Sequence, residues 1–353
     1  MKIDAYYYDA VDLLKQLIST PSLSREEEVA ADLLEKSIRD FGFQPARKGN
    51  NVWISSSPWD ESKPTILLNS HIDTVKPVTG WTKDPFSPTE DGDCLFGLGS
   101  NDAGASVVSL LTTFRLLSNK EQAYNLIFLA SCEEEVSGKN GVELALAELP
   151  KIDFALVGEP TGMQPAIAER GLMVLDCVVR GRSGHAARNE GENAIYKALP
   201  AISWFRQASF PKRSDLLGEV KATVTMIGAG TQHNVIPDEC RFTVDVRSNE
   251  LYTNEELFAM IKEQVDGEVT ARSFRLNSSR MDINHPFVKR LQLLEAVPFG
   301  SPTLSDQALM SFPSLKMGPG ASSRSHSADE FILLSEIREA IELYYRTLND
   351  FAF

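Results

Sequence analysis

Five stretches of this 353-residue chain carry side chains that could act together. Ser70-His71-Ile72-Asp73-Thr74 follows the apolar run 65–69. Glu133-Glu134-Glu135 follows the run 125–131, and Gly158-Glu159-Pro160-Thr161 follows the run 153–157. Asp102 sits in the glycine-rich stretch 97–104, and His326 lies in Ser325-His326-Ser327-Ala328-Asp329-Glu330. Taken singly, each has a plainer explanation: a hydrogen-bonded strand-end histidine, a solvated acidic face, a turn. Together, in one order and at the ends of buried runs, they point to metal chemistry. Gathered carboxylates raise one another's pKa unless cations neutralise them. Neutral imidazoles mixed with carboxylates suit zinc, cobalt or manganese better than magnesium or calcium. The charges fit two ions: four positive charges against three negative ones from Asp102, Glu135 and Glu159, with one bridging hydroxide closing the sum. The stretch 97–104 lacks the lysine and spacing of a phosphate-binding loop, and no Gly-x-Ser-x-Gly elbow suggests a serine nucleophile.

The elements that must position these residues are legible in the hydropathy pattern. The runs 65–69, 125–131 and 153–157 are short and do not alternate, as strands buried on both faces do. Helical patterns over about 104–118 and 141–148 lie between them. That order predicts an open, mainly parallel sheet flanked by helices, with ligands bound outside the carboxyl ends of the strands. Ser24 with Glu27 reads as a capping box opening a helix whose apolar stripe is Val29, Leu33, Leu34 and Ile38, with Gly42 past its end. Beyond residue 170 the pattern changes: strands near 172–180, 219–227, 240–247 and 268–275, and helices over 191–207 and 253–265. This βαββαβ order is that of a ferredoxin-like unit. The expected organisation is a discontinuous first domain, 1–169 and 285–353, interrupted by a second at 170–284.

Composition sets limits. Hydrophobic residues make up 42% and charged residues 24%, as in ordinary globular proteins. Lys plus Arg number 35 against 49 Asp plus Glu, a net charge of −14, which argues against nucleic-acid binding. No apolar run approaches the ~20 residues of a membrane span, and Asp4 and Asp9 interrupt any signal-peptide core. Cys94, Cys132, Cys177 and Cys240 lie far apart, which suits reduced thiols and a cytoplasmic location.

The ordered set, Ser70-His71-Ile72-Asp73-Thr74-Val75, then 97–104 with Asp102, then Glu133-Glu134-Glu135, then Gly158-Glu159-Pro160-Thr161, then His326 with Asp329-Glu330, resembles the M20 metallopeptidases. That group contains acetylornithine deacetylase, succinyl-diaminopimelate desuccinylase and aminoacylase. The resemblance implies a zinc-peptidase-like α/β domain with an inserted dimerisation domain. It implies two divalent ions, zinc foremost, with cobalt or manganese as alternatives. His71 and Glu159 would hold one ion, Glu135 and His326 the other, and Asp102 would bridge them. Asp73 would hold the His71 imidazole from behind, and Glu134 would be the general acid/base. Where many relatives read Asp-Glu-Glu, this chain reads Glu133-Glu134-Glu135. The following Val136-Ser137-Gly138 favours Glu134 as base and Glu135 as ligand over a register shifted by one.

The resemblance also implies a homodimer in which His185, in Gly184-His185-Ala186, reaches the partner's site and stabilises an oxyanion. Asn234 would approach substrate. Arg247 is a candidate for holding a substrate carboxylate, its planar fork suiting that geometry, with a surface ion pair as the competing reading. His233 and His285 read as structural. The expected reaction is removal of the N-acyl group from an acylated L-amino acid, N-acetyl-L-ornithine first, in arginine biosynthesis. N-succinylornithine, N-acetylcitrulline and succinyl-diaminopimelate are alternative substrates, with Lys139, Arg188 and Arg324 as possible readers of the acyl group. A di- or tripeptidase and a non-catalytic, metal-stabilised scaffold dimer are the rivals.

Overall fold

The computed structural model describes residues 3–188 and 190–353. In chain order the elements begin α1 (Asp4–Ile18), α2 (Glu28–Asp40), β1 (Ala46–Lys48), β2 (Asn51–Ser55), β3 (Thr65–His71), β4 (Thr89–Asp91) and β5 (Cys94–Phe96). They continue with α3 (Ala105–Leu117), β6 (Asn125–Ser131), α4 (Val142–Leu146), β7 (Phe154–Val157) and β8 (Ala166–Glu169). Next come β9 (Met173–Arg180), β10 (Gly184–His185), α5 (Ala194–Gln207), β11 (Lys221–Ala229), β12 (Val235–Ile236), β13 (Glu239–Arg247), α6 (Asn254–Gln264), β14 (Glu268–Ala271) and β15 (Ser279–Arg280). The chain ends with α7 (Pro286–Leu293), β16 (Phe299–Ser301), β17 (Ser314–Lys316), β18 (Phe331–Leu333) and α8 (Leu334–Leu348).

The chain divides into two compact units: 1–167 with 281–299 and 305–353, and 168–280 with 300–304. The first unit is built on a sheet of order β1-β2-β6-β3-β7-β17-β8. Its centre is parallel, β6 with β3, β3 with β7 and β7 with β17. Every residue of β3, β6 and β7 is buried, as expected for strands covered on both faces. Helix α3 is buried along nearly its whole length and packs against β3 and α8, so it lies inside rather than on the surface.

The second unit carries the βαββαβ order. Its four-stranded antiparallel sheet runs β11-β13-β9-β14. The apolar faces of α5 and α6 and the inward residues of the sheet, among them Leu175, Phe205, Phe242, Val244, Leu257 and Ile261, form a separate core. A Thr253–Glu256 capping box opens α6.

Three local expectations fail in whole or in part. Ser24 and Glu27 do not form a capping box: α2 starts at Glu28, and Glu27 is fully buried. Val29 is 64% exposed and Leu33 only half-buried; the buried face is Ala30, Ala31, Leu34 and Ile38. The fourth ferredoxin-like strand also stops early, at Ala271. Among the described residues, no helix is long and apolar enough to cross a membrane.

Candidate metal centre

The sheet delivers the first group of side chains. His71 is the last residue of β3, and Glu133 and Glu159 lie two residues beyond the ends of β6 and β7. The parallel register therefore brings three chain segments to one edge, where parallel sheets bind ligands. His71 is buried, and its Nδ1 lies 2.9 Å from the Asp73 main-chain oxygen. That contact makes Nδ1 the donor and leaves the Nε2 lone pair facing outward. Nε2 lies 3.2 Å from Asp102 Oδ1 and 3.8 Å from Glu159 Oε1.

A second imidazole faces the other side of the same aspartate. His326 Nε2 stands 3.0 Å and 3.1 Å from the two Glu135 oxygens and 3.7 Å from Asp102 Oδ2. Asp102 thus offers one oxygen to each histidine. Oxygen or nitrogen atoms of His71, Asp102 and Glu159 lie within 4.8 Å of one another, and so do those of Asp102, Glu135 and His326. Two ligands ~2.0–2.1 Å from one tetrahedral zinc stand about 3.3 Å apart, so these separations fit ion-sharing pairs. Glu159 Oε1 is shielded from solvent yet has no hydrogen-bond partner. Such an orphaned carboxylate oxygen is costly, and a cation would relieve it.

The Glu133-Glu134-Glu135 triplet has three different fates. Glu133 turns inward, its Oε1 accepting from Asn140 Nδ2 at 2.9 Å. It and Ser137 take left-handed backbone angles, φ 55° and 46°, on either side of a short turn. A Cβ on Gly138 would meet Glu133 Oε2 at 1.8 Å, so only glycine fits there. Glu135 meets His326. Glu134 lies between, with oxygens of Glu134 and Glu135 within 4.8 Å of a His71 nitrogen.

Asp73 does more than stand behind His71. Its carboxylate is 3.5 Å from Nδ1, but it accepts from the Glu134 and Glu135 main-chain N–H groups at 3.0 and 3.1 Å and from the Ser24 hydroxyl at 2.7 Å. It therefore fixes the turn that carries Glu134 and Glu135.

The electrostatics express the crowding. Desolvation pushes the Glu134 carboxyl well up, and the charges of Glu159, Asp306 and Glu135 add to this against an opposing pull from His71. Desolvation, then Asp102, pushes Glu159 up to about 8, while Lys316 pulls it down. His326 is raised to about 9, chiefly by its hydrogen bond to Glu135. Burial works against a charged His71, but hydrogen bonds to Asp102 and Asp73 outweigh it and raise its pKa well above the usual value. Crowding thus favours the protonated forms of Glu134, Glu159, His71 and His326, and bound cations would displace those protons.

Residues 67–350 match the model for peptidase family M20/M25/M40. The chain belongs to that family. It is similar to the acetylornithine deacetylases of Proteus mirabilis (26% identical, covering 97% of this chain and 96% of that one) and Shigella sonnei (28%, covering 97% of each). Among solved structures, it shares its fold with aminopeptidase PepT of Bacillus cereus (17% identical, 98% of each chain, TM-score 0.78). A Bacillus subtilis dinuclear metal-binding peptidase of family M20 is similar too (17% identical, 98% of this chain and 99% of that one, TM-score 0.72). This chain is accordingly an M20-family metal-dependent amidohydrolase.

Several residues behind the M20 site were given no role by the motif reading, Glu330 among them although it lies in the last motif. Glu27 Oε1 accepts from the Glu133 N–H at 3.2 Å, and Oε2 accepts from Asn50 Nδ2 at 2.9 Å. Glu330, 2% exposed, accepts from the Asn101 and Asp102 N–H groups at 2.9 and 3.0 Å and is raised to about 7, first by desolvation and then by Asp102. Asp306 is buried and accepts from Ser131 at 2.6 Å and from Asn69 at 3.3 Å. Lys316 is a buried cation on β17. No local signal marks it, because Ser314-Leu315-Lys316-Met317 is too short and mixed to read as a buried strand.

His185, Asn234 and Arg247 belong to the second unit. Strand β10 pairs with β12, setting His185 opposite Val235, and the Ala186 N–H donates to the Asn234 carbonyl at 3.0 Å. His185 is exposed, and its Nδ1 accepts from the Ala187 N–H at 3.1 Å, which makes Nε2 the protonated nitrogen of the neutral ring. Arg247 is bidentate to Asp245, at 2.8 and 3.0 Å. His285 caps α7, as a structural residue does.

Proposed function

We propose that the protein hydrolyses an N-acyl L-amino acid, N-acetyl-L-ornithine first among them, to the free amino acid and a carboxylate. One observation carries this reading: Asp102 offers its two oxygens to two different imidazoles, with Glu134 beside them. The acyl amino acid is supported by similarity to two acetylornithine deacetylases over nearly the whole chain.

In this reading His71 and Glu159 hold one ion, Glu135 and His326 the other, and Asp102 both. Two imidazoles among carboxylates favour zinc, with cobalt or manganese as substitutes. Such ions, when bound, polarise the acyl carbonyl and acidify water. Glu134 moves the proton. A carboxyl raised by desolvation is basic enough to take a proton from water and, once it holds it, acidic enough to pass it to the departing amine. Asp73 and Glu27 keep the turn bearing Glu134 from shifting, so the acceptor atom stays in place between the two transfers. His185, with its Nε2 proton, would donate to the oxygen that becomes negative. Asn234 would contact substrate. Arg247 would offer its remaining donors to the substrate carboxylate. Arg324 is a weak candidate for reading the acyl group, because Glu336 already occupies its fork at 2.6 and 3.2 Å.

We further infer a homodimer built on the second unit, with His185 serving the partner's site. Strand β11 is a sheet edge, and Met226 and Ile227 on it are 66% and 61% exposed. Tyr196 and Leu199 on neighbouring α5 are 71% and 50% exposed. An apolar open edge of this kind pairs readily with its own copy. A cytoplasmic place in arginine biosynthesis follows from the same substrate reading.

The test is a panel of N-acetyl-L-ornithine, N-succinyl-L-ornithine, N-acetylcitrulline, succinyl-diaminopimelate and a tripeptide, with ninhydrin detection of released amine. N-acetyl-L-ornithine should turn over fastest. Preference for the tripeptide would make the protein a peptidase. Bound metal without turnover of any member would make it a scaffold.

A further inference from the structure

The loop that carries His326 needs a support. His326 is a half-exposed residue with a left-handed backbone, φ 56°, and lies on no strand or helix. The other ligands have firmer ground. His71 ends a buried strand, Glu159 lies two residues beyond another, and the Glu135 N–H is held by Asp73. The placement of His326 therefore depends on whatever fixes residues 321–325.

Asn101 is that fixture. It is fully buried, one residue before Asp102. Its main-chain N–H is held by Glu330 at 2.9 Å. Its side chain spends its amide on the segment before His326. Oδ1 accepts from the Ala321 N–H at 3.0 Å, and Nδ2 donates to the Ala321 carbonyl and the Ser325 hydroxyl, both at 3.2 Å. The amide thus mimics a strand neighbour to Ala321, while Ala321 forms a β-bridge with Thr161 on its other side. Thr161 lies two residues after Glu159, so one amide refers three ligand-bearing segments to one another. The neighbourhood leaves no slack: a Cβ on Gly320 would meet Asn101 Oδ1 at 2.2 Å. A hydroxyl has one proton to donate. With Asn101 Nδ2 donating into Ser325 Oγ, that proton is free to point at the Asp102 carboxylate, whose pKa Ser325 helps to lower.

We propose that Asn101 is a positioning residue for the metal pair, setting the spacing between Asp102 and His326 and thereby the affinity for the ion held by Glu135 and His326. The proposal rests on the two-ion reading above. A buried asparagine that only stabilises the fold would affect both ions together or neither. A positioning residue affects one. Loss of groups that orient ligands typically weakens metal binding about 10–100-fold. For Asn101→Ala that loss should fall on the second ion, with the first changed less than about threefold because His71 ends a buried strand and Glu159 lies two residues beyond another.

The experiment is calorimetric titration of the metal-free full-length protein with cobalt(II), following the visible absorption of each bound ion. Wild type should show two sites. Asn101→Ala should keep the first site and lose about 10–100-fold at the second. Val288→Ala, a buried change on α7, serves as the stability control and should keep both affinities despite a lower melting temperature. Should Asn101→Ala fail to fold, Ser325→Ala removes one of the three side-chain contacts and should weaken the second ion more than the first, which shares Asp102 with it. Wild-type affinities in both variants, or parallel loss at both sites, would overturn the role of Asn101. A wild-type protein with a single site would instead overturn the two-ion reading itself.

Discussion

Loading the metal-free protein should release protons, in a number the structure sets. Metal ligation requires neutral imidazoles and ionised carboxylates. Without ions, Glu159 is raised to about 8 and His326 to about 9. At pH 7 they hold about 0.9 and about 0.99 proton, and both must go. His71, raised well above the ordinary histidine value by Asp102 and Asp73 against its burial, contributes a third. Release at pH 7 is therefore at least about two protons per chain, and overall affinity should rise by at least about two decades per pH unit near neutrality. By pH 9 Glu159 is nearly ionised and His326 half so, leaving about 0.6 proton from that pair. The assay is calorimetric titration with zinc in two buffers of different ionisation enthalpy, from pH 6.5 to 9. Release below about one proton at pH 7, or a count that does not fall toward pH 9, would refute the electrostatic account of the cluster.

The other expectations follow from the same geometry. Glu134→Gln should retain both ions by elemental analysis yet lose about 10²–10⁴-fold in kcat; near-normal turnover would move the proton transfer to another residue. His185→Ala should be nearly inactive with full metal content. Mixed with Glu134→Gln it should recover about a quarter of wild-type activity, since half the dimers are mixed and each has one intact site; no recovery would place His185 in its own subunit's site. The metal-free protein should lose stability between pH 6 and 9. Glu159 and His326 have folded pKa values above their ordinary ones, so their contributions are complete below 4.5 and 6.5 and disappear as pH rises through about 8 and 9. A melting temperature that stays flat over that range would contradict this.

The buried strands were readable because apolar runs of four to seven residues cannot hide: β3, β6 and β7 stand where hydropathy put them. The loops after them followed, since a parallel sheet places its chemistry at one edge. What local spacing could not reveal was how those loops are held. Ser24 and Glu27 have the spacing of a helix cap, yet Ser24 bonds Asp73 across 49 residues and Glu27 the Glu133 N–H across 106. Glu330 reaches the Asn101 N–H over 229 residues. A local rule lost to a buried backbone donor that had no other acceptor. Lys316 and Asp306 were missed for a related reason. Their burial follows from β17 and the turn before it, which no periodic signal announced.

Where the inserted stretch leaves and rejoins the first unit, the chain closes on itself: the Met281 N–H donates to the Ile167 carbonyl at 2.7 Å. The whole stretch from 168 to 280 departs and returns at that point. Lengthening a loop whose ends already meet costs little entropy, so evolution can redraw that excursion freely. The inserted stretch can be exchanged or enlarged while the acids and imidazoles of the first unit stay where they are.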